Sequence, residues 1–227
     1  MQSELQKILI TGTNSGLGKW LSTQLAHCDK FTRNDKISDF EQHTYDLIIH
    51  CAATVTHCGW KNAPYSLFED NVFLTRELVK IPHKKFILIS SIDQIKNSPY
   101  GVSKRLAEIV VRDFCDKYLI LRPSALLGKE MRKNSFQKIL SNEDIPLTPQ
   151  TIMNYILYED VLDAIKSGGE GTKFLRANKD ITLLEVVEAL NKKVNFGSIH
   201  FEVESVESDI DTKKTSRDNV LIFGEKC

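Results

Sequence analysis

Short, continuously apolar runs constrain this chain more than any other feature. KILIT (7–11), DLIIH (46–50), KFILI (85–89) and YLIL (118–121) each have the length of a strand, and a briefer run at 30–32 adds a further candidate. None alternates apolar with polar residues as a half-solvated strand does. Helix-like stretches separate them at 17–26, 66–80 and 99–117. Apolar strands alternating with helices predict a parallel sheet covered on both faces. Crossovers in such sheets are almost always right-handed, so the expected architecture is a doubly wound α/β sheet.

Past Gly128 this rhythm loosens. IPLTPQ (145–150) reads as a proline-containing loop, ITLLEVVEAL (181–190) as a helix, and the polar residues after it as part of a small C-terminal appendage. At 227 residues the chain fits one sizeable domain with such an appendage. Its 30 basic and 30 acidic side chains balance, which favours neither nucleic acid nor an anionic membrane as partner. No apolar run approaches the roughly 18 residues of a membrane span. The start, MQSELQKILITG, lacks the charged beginning and long apolar core of a signal peptide. Cys28, Cys51, Cys58, Cys115 and Cys227 are odd in number and form no CxxC, which reads as reduced thiols in a cytoplasmic protein.

TGTNSGLG (11–18) sets Gly12, Gly16 and Gly18 between a strand and a helix that Asn14 or Ser15 could cap. One glycine permits the tight turn, another lets backbone approach a pyrophosphate, and the helix N-terminus offers free N–H groups and positive dipole. A plain strand–helix turn would use the same residues. Dinucleotide sites that take NAD usually carry an acid about 20 residues on. Here that neighbourhood is FTRND (31–35), with Arg33 nearest the expected place; an arginine suits the 2′-phosphate of NADP, while Asp35 keeps NAD open. DLIIHCAA (46–53) ends in Ala52 and Ala53, small enough for a flat cofactor to lie above the strand end. His50, Cys51, His57 and Cys58 invite a metal reading, but neighbours on a strand alternate faces and no second cluster follows at zinc spacing, so no metal is expected. His57 or Cys58 could still line a substrate pocket.

In SSIDQIKNSPYGVSK (90–104), Ser98 is a good N-cap and Pro99 a good first helical residue. Tyr100 and Lys104 then stand i and i+4 on one row, continued by Ala107 and Val111, beside an apolar flank of Val102, Leu106, Ile109, Val110 and Phe114. Alone, the pair reads as an ordinary helix surface, because Tyr-x-x-x-Lys is common by chance. Gly12, Ala52, Ala53 and Ser91, however, all sit just past strand C-termini, where open parallel sheets hold ligands.

The ordered set TGTNSGLG, DLIIHCAA, ILISS, SPYGVSKRLAE, LILRPSALLG and YILYEDVLDAI resembles the short-chain dehydrogenase/reductase superfamily, in its extended, nucleotide-sugar-modifying epimerase/dehydratase branch. The resemblance spans roughly residues 7–190. It implies a Rossmann-type doubly wound parallel sheet at 1–128, with 151–167 returning to it, and a small substrate-binding lobe from 129–150 and 168–227. It implies Tyr100 as catalytic acid/base. Lys104 would bind the nicotinamide ribose and lower the tyrosine pKa, and Ser91 would hold the substrate oxygen. Gly12, Asn14, Ser15, Gly16, Leu17, Gly18, Arg33, Ala52, Ala53, Tyr100 and Lys104 would contact the cofactor, NADP or alternatively NAD. Asn71 in DNVFLTRELV stands where the family has an asparagine, though Leu74 replaces a later glycine.

Two segments are short against that pattern: 35–46 cannot hold a full strand–helix unit, and Ser91 to Tyr100 is trimmed. Dehydratases of the group resemble one another in an Asp-Glu pair after the tetrad Ser/Thr, and epimerase-reductases in a cysteine there; this chain has Ile92 and Asp93. What remains is chemistry needing only Ser, Tyr, Lys and a nicotinamide. The expected activity is NADPH-dependent reduction of a ketone on a nucleotide sugar or related carbonyl substrate. The alternatives are an epimerase that holds NAD tightly and an NmrA-like cofactor sensor without catalysis. A homodimer is the family's habit.

Overall fold

The computed structural model describes residues 6–226 apart from His57, Glu204, Ser205 and Asp211. The chain divides into two compact units, Met1–Arg122 with Ile165–Lys173, and Pro123–Ala164 with Phe174–Cys227.

The first unit begins with β1 (Ile8–Thr11), α1 (Gly16–Gln24) and β2 (Cys28–Phe31). A 3-10 turn, Ile37–Asp39, is all the structure that the short 35–46 segment carries before β3 (Leu47–His50). After a second 3-10 turn, Trp60–Asn62, come α2 (Ser66–Phe68), a π-helical turn (Glu69–Phe73) and α3 (Leu74–Leu78). Then follow β4 (Phe86–Ile89), a 3-10 turn (Ile92–Ile95), α4 (Pro99–Phe114) and β5 (Tyr118–Pro123). The second unit contains β6 (Ala125–Leu127), α5 (Ser135–Leu140), β7 (Ile145–Leu147), β8 (Ile152–Met153) and β9 (Tyr155–Leu157). The unit boundaries at Ala164 and Lys173 fall within α6 (Tyr158–Lys166) and β10 (Gly171–Leu175), and β11 (Ile181–Thr182), α7 (Leu183–Ala189), β12 (Phe196–Ile199) and α8 (Ser216–Gly224) belong to the second unit.

The main sheet runs β10-β5-β4-β3-β1-β2, and the pairings among β1 to β5 are all parallel. Every residue of β1, β3 and β4 is buried, which is why these strands read as unbroken apolar runs. β2 is an edge strand in which only Phe31 is buried; it starts at Cys28, ahead of the run at 30–32 that the sequence points to. On one face Leu9, Ile48, Phe86, Leu88 and Ile120 pack against Leu78, Val79, Ala107, Val111 and Cys115 from the helices. Burying each large apolar side chain contributes about 1.5–3 kcal/mol. From β1 the chain turns to β2 on one side and to β3, β4 and β5 on the other, so the order reverses between β1 and β3. Open α/β sheets hold ligands at that reversal, beyond the strand C-termini.

In the second unit β6 pairs with β9 in parallel, β8 with β11 antiparallel and β7 with β12 in parallel. These pairings correct two expectations. IPLTPQ is not all loop: its first three residues form β7, beside which Gly197 packs so tightly that a Cβ would collide with the Pro146 carbonyl. Likewise β8 and β9 find their partners within the second unit, so most of 151–167 stays there, and the chain rejoins the first unit at Ile165–Lys173. The first boundary falls at Arg122 rather than at 128. Among the described residues no helix is long and apolar enough to cross a membrane.

Candidate active site

The turn after β1 is built by three glycines. Gly12 has φ +73°, and a Cβ there would stand 2.7 Å from the Ala52 amide nitrogen across the β1/β3 reversal. Gly16 has φ +59°. A Cβ on Gly18 would lie 2.5 Å from the Gly12 carbonyl oxygen, so α1 leaves the sheet at a distance only glycine permits. Ser15 takes the N-cap position of α1 in an extended conformation without a side-chain cap bond, and Asn14 beside it is exposed. Leu17 turns into the core. These glycines let β1, β3 and the start of α1 come together as only glycine allows, and the turn with the first-turn N–H groups of α1 is the part of the chain that could hold a pyrophosphate.

Beneath this turn lies a buried relay that the sequence alone did not reveal. The Ala52 amide donates to Thr11 Oγ1 at 3.0 Å, and Thr11 Oγ1 meets His50 Nδ1 at 2.7 Å. His50 Nε2 meets Thr75 Oγ1 at 2.9 Å, while that hydroxyl donates to the Asn71 carbonyl at 2.8 Å. One hydrogen per hydroxyl assigns the roles: Thr75 accepts from Nε2–H, and Thr11 donates to an unprotonated Nδ1. Burial, reinforced by the charge of Lys104, holds the imidazole pKa down to about 3. Burial likewise pushes the neighbouring Cys51 thiol up to about 12, against the pull of Lys104. Both ring nitrogens of His50 are thus engaged in tying β1, β3 and α3 together. His57 lies outside the described residues, and Cys58, half-buried, lies in the loop after β3.

Asn71 sits in the π-helical turn, 2 % exposed. Its Oδ1 accepts from the Thr54 amide at 2.8 Å, and its Nδ2 donates to the Thr54 carbonyl and to Ser103 Oγ, both at 2.9 Å. Ser103 Oγ in turn donates to the Tyr100 carbonyl at 2.7 Å. Both donors of the Asn71 amide are therefore spent on the loop after β3 and on α4. Asn71, expected among the catalytic groups, thus holds the loop after β3 against α4.

The trimmed segment before α4 folds onto that helix. Ser91 closes β4 and caps the turn Ile92–Ile95, its Oγ accepting from the Asp93 amide at 3.1 Å. Ser98 caps α4 by accepting from the Gly101 amide at 3.1 Å, with Pro99 in the first turn. Gly101 packs against the turn so closely that a Cβ would collide with the carbonyls of Asp93 and Lys96. Arg105 Nη1 donates to the carbonyls of Gln94 and Lys96 at 2.7 and 3.1 Å. Tyr100, at 8 % exposed, and Lys104, at 3 %, occupy the buried row with Ala107 and Val111. Lys104 Nζ donates to the Ile89 carbonyl at 2.9 Å, which sets its charge at the C-terminal end of β4. Of the apolar flank, Leu106, Ile109 and Phe114 are exposed, whereas Val110 packs against the core.

One turn further along α4, Glu108 is 1 % exposed and accepts from Ser90 Oγ at 2.6 Å, Arg122 Nε at 2.9 Å, Arg122 Nη2 at 2.6 Å and Arg112 Nη2 at 2.7 Å. This cluster holds the residue before Ser91 and joins β4, α4 and β5. At the end of β2, Arg33 pairs with Asp70 at 2.7 Å, and Asp35 turns back to accept from the amide and hydroxyl of Thr32 at 2.7 and 2.8 Å. Ala52 and Ala53 are half-buried beside the glycine turn.

Comparison with known proteins agrees with this construction. Residues 8–165 match the model of the NAD dependent epimerase/dehydratase family. Among solved structures, dTDP-4-dehydrorhamnose reductase from Bacillus anthracis, in complex with NADP, superposes with a TM-score of 0.77 at 19% identity, covering 98% of this chain and 99% of that one. The same-named reductase of Yersinia enterocolitica gives 0.76 at 18% identity, with 97% and 99% covered. UDP-glucuronic acid 4-epimerase from Bacillus cereus, in complex with NAD, gives 0.74 at 16% identity, with 96% and 97% covered. No curated protein matches the chain. With a Rossmann-type sheet, a glycine turn at its reversal and a family match over most of its length, the chain belongs to the NAD-dependent epimerase/dehydratase family.

Proposed function

We propose that this chain is an NADPH-dependent reductase of a ketone carried on a nucleotide sugar, acting through Ser91, Tyr100 and Lys104. The observation that carries the reading is the buried Tyr100/Lys104 row on α4, tied by the Ser103–Asn71–Thr75–His50–Thr11 relay to the glycine turn at the sheet reversal. Gly12, Gly16, Gly18 and the first turn of α1 would hold the pyrophosphate, with Asn14, Ser15 and Leu17 shaping the turn. Ala52 and Ala53 would floor the cofactor and Arg33 would meet the 2′-phosphate. When bound, reduced nicotinamide supplies a hydride. Tyr100 donates its hydroxyl proton to the oxygen on which negative charge builds. Lys104, one helical turn away, stabilises the tyrosine's anionic form. Ser91 Oγ accepts from the Asp93 amide, which leaves its own hydrogen for the substrate oxygen.

To the second unit we assign substrate binding. The exposed stripe Leu106, Ile109 and Phe114 on α4 supports a homodimer. Free Cys28, Cys51, Cys58 and Cys115 support a reducing cytoplasm. The structural relatives named as reductases, one complexed with NADP, favour reduction over epimerisation. The test is a panel of 4-keto-sugar nucleotides with NADPH, followed by nicotinamide absorbance and product mass. Stoichiometric NADPH oxidation with gain of two hydrogens is expected. Co-purified NAD together with interconversion of sugar epimers, and no net NADPH loss, would replace the reductase by the epimerase.

A further inference from the structure

The end of β2 carries a cation and, from elsewhere in the chain, an anion. Arg33, two residues past β2, has a side chain 80% exposed, and its Nη2 lies 2.7 Å from Asp70 Oδ2. Asp70 comes from the π-helical turn after β3 and is only 26% exposed. The Thr54 hydroxyl donates to the same Asp70 oxygen, and Thr54 is itself clamped through its amide and carbonyl by Asn71. The carboxylate is therefore held in place, while Arg33 is the exposed member of the pair. Asp35, the acid nearest in sequence, is committed to its own loop through Thr32.

We infer that Asp70 is a specificity-determining residue for the cofactor's adenosine ribose, an inference that rests on the dinucleotide reading above. A ribose 2′-hydroxyl can donate to the Asp70 carboxylate. A 2′-phosphate must instead draw Arg33 away from Asp70 and tolerate the carboxylate's charge. Exposed ion pairs of this kind are weak, so the phosphate can win Arg33, yet the nearby carboxylate still opposes it. A carboxylate about 6 Å from a phosphate dianion in a water-like dielectric disfavours binding by roughly tenfold. Asp70 thus restrains NADP affinity and keeps NAD acceptable, in the place of the acid that NAD sites carry at the end of the second strand.

The test is equilibrium binding of NADPH and NADH, by nicotinamide fluorescence without substrate, to wild type, Asp70→Asn and Arg33→Met. Asparagine still accepts the Thr54 hydroxyl. Asp70→Ser, which keeps a hydroxyl there, is the second variant should the first lose its fold by thermal unfolding. Removing the carboxylate is expected to tighten NADPH about tenfold and to weaken NADH several-fold, with the NADPH gain fading as salt rises. Arg33→Met is expected to weaken NADPH at least tenfold and leave NADH nearly unchanged. Equal or absent effects of Asp70→Asn on the two cofactors, with Arg33→Met still weakening NADPH, would overturn the role of Asp70 alone. An Arg33→Met protein with wild-type NADPH affinity would overturn the cofactor reading at β2 and this inference with it.

Discussion

Replacing Glu108 by Gln should destabilise the first unit by about 3 kcal/mol, the lower end of the cost of breaking a buried ion pair. The carboxylate is 1% exposed and takes hydrogen bonds from Ser90, Arg122 and Arg112. A glutamine would turn its NH2 group towards two donors whichever way the amide faces: Ser90 Oγ and Arg122 Nε on one side, Arg112 Nη2 and Arg122 Nη2 on the other. Arg112, 35% exposed, can swing into water, but Arg122, 16% exposed, loses its bidentate partner where water cannot fully replace it. For a chain of this size the loss corresponds to a melting shift of about 6–12 °C. Trp20 and Trp60 both lie in the first unit, so tryptophan fluorescence during urea unfolding follows that unit specifically.

The same contacts fix the pH dependence. Burial alone pushes the Glu108 carboxyl up, but hydrogen bonds from Arg122 and Ser90, with the charges of Arg122 and Arg112, outweigh it and hold it below the ordinary value. Its stabilisation is therefore fully present above the unfolded value near 4.3, and is lost as pH falls through the folded value. The gap between wild type and Glu108→Gln should be constant from pH 7 to about 5 and shrink below that. Replacing both partners, Glu108→Leu with Arg122→Met, should recover most of the loss. A single variant within about 0.5 kcal/mol of wild type, or a gap as wide at about pH 3 as at neutrality, would refute the reasoning.

Two further perturbations probe the sheet reversal. Gly12→Ala forces a Cβ against the Ala52 amide at positive φ, so it should cost about 1–2 kcal/mol and weaken cofactor binding at least tenfold, read by urea unfolding and nicotinamide fluorescence. His50→Leu leaves the Thr11 and Thr75 hydroxyls without their ring partner and should cost about 2–4 kcal/mol. Because the folded imidazole titrates near 3, its contribution is present above the unfolded value near 6.5. Wild type should lose up to about 1.4 kcal/mol per pH unit from this group as pH falls below that value, and the leucine variant should lack this slope.

Features written into local residue order were legible before any coordinates: the glycine turn, the unbroken apolar strands and the Ser98–Pro99 start of α4. Features that exist only through tertiary contact were not. Glu108 reads in sequence as one more helix charge, and nothing local announces that Ser90, Arg112 and Arg122 converge on it. His50 invited a ligand reading because its threonine partners lie 39 and 25 residues away. The flank of Leu106, Ile109 and Phe114 is more apolar than the row that is buried, so hydrophobicity alone points to the wrong face of α4. Arg33 was legible as a cation at the end of β2, but its partner, Asp70, is delivered by a π-helical turn with no sequence signal of its own.

The central claim, that Tyr100 is the proton donor of a nicotinamide-dependent ketone reduction, is tested most directly by Tyr100→Phe. Turnover of a 4-keto-sugar nucleotide and NADPH affinity should be measured on the same folded preparation. Turnover should fall by about 10²- to 10⁴-fold while NADPH affinity stays within a few-fold of wild type. Turnover at the wild-type rate in the phenylalanine variant would contradict the claim.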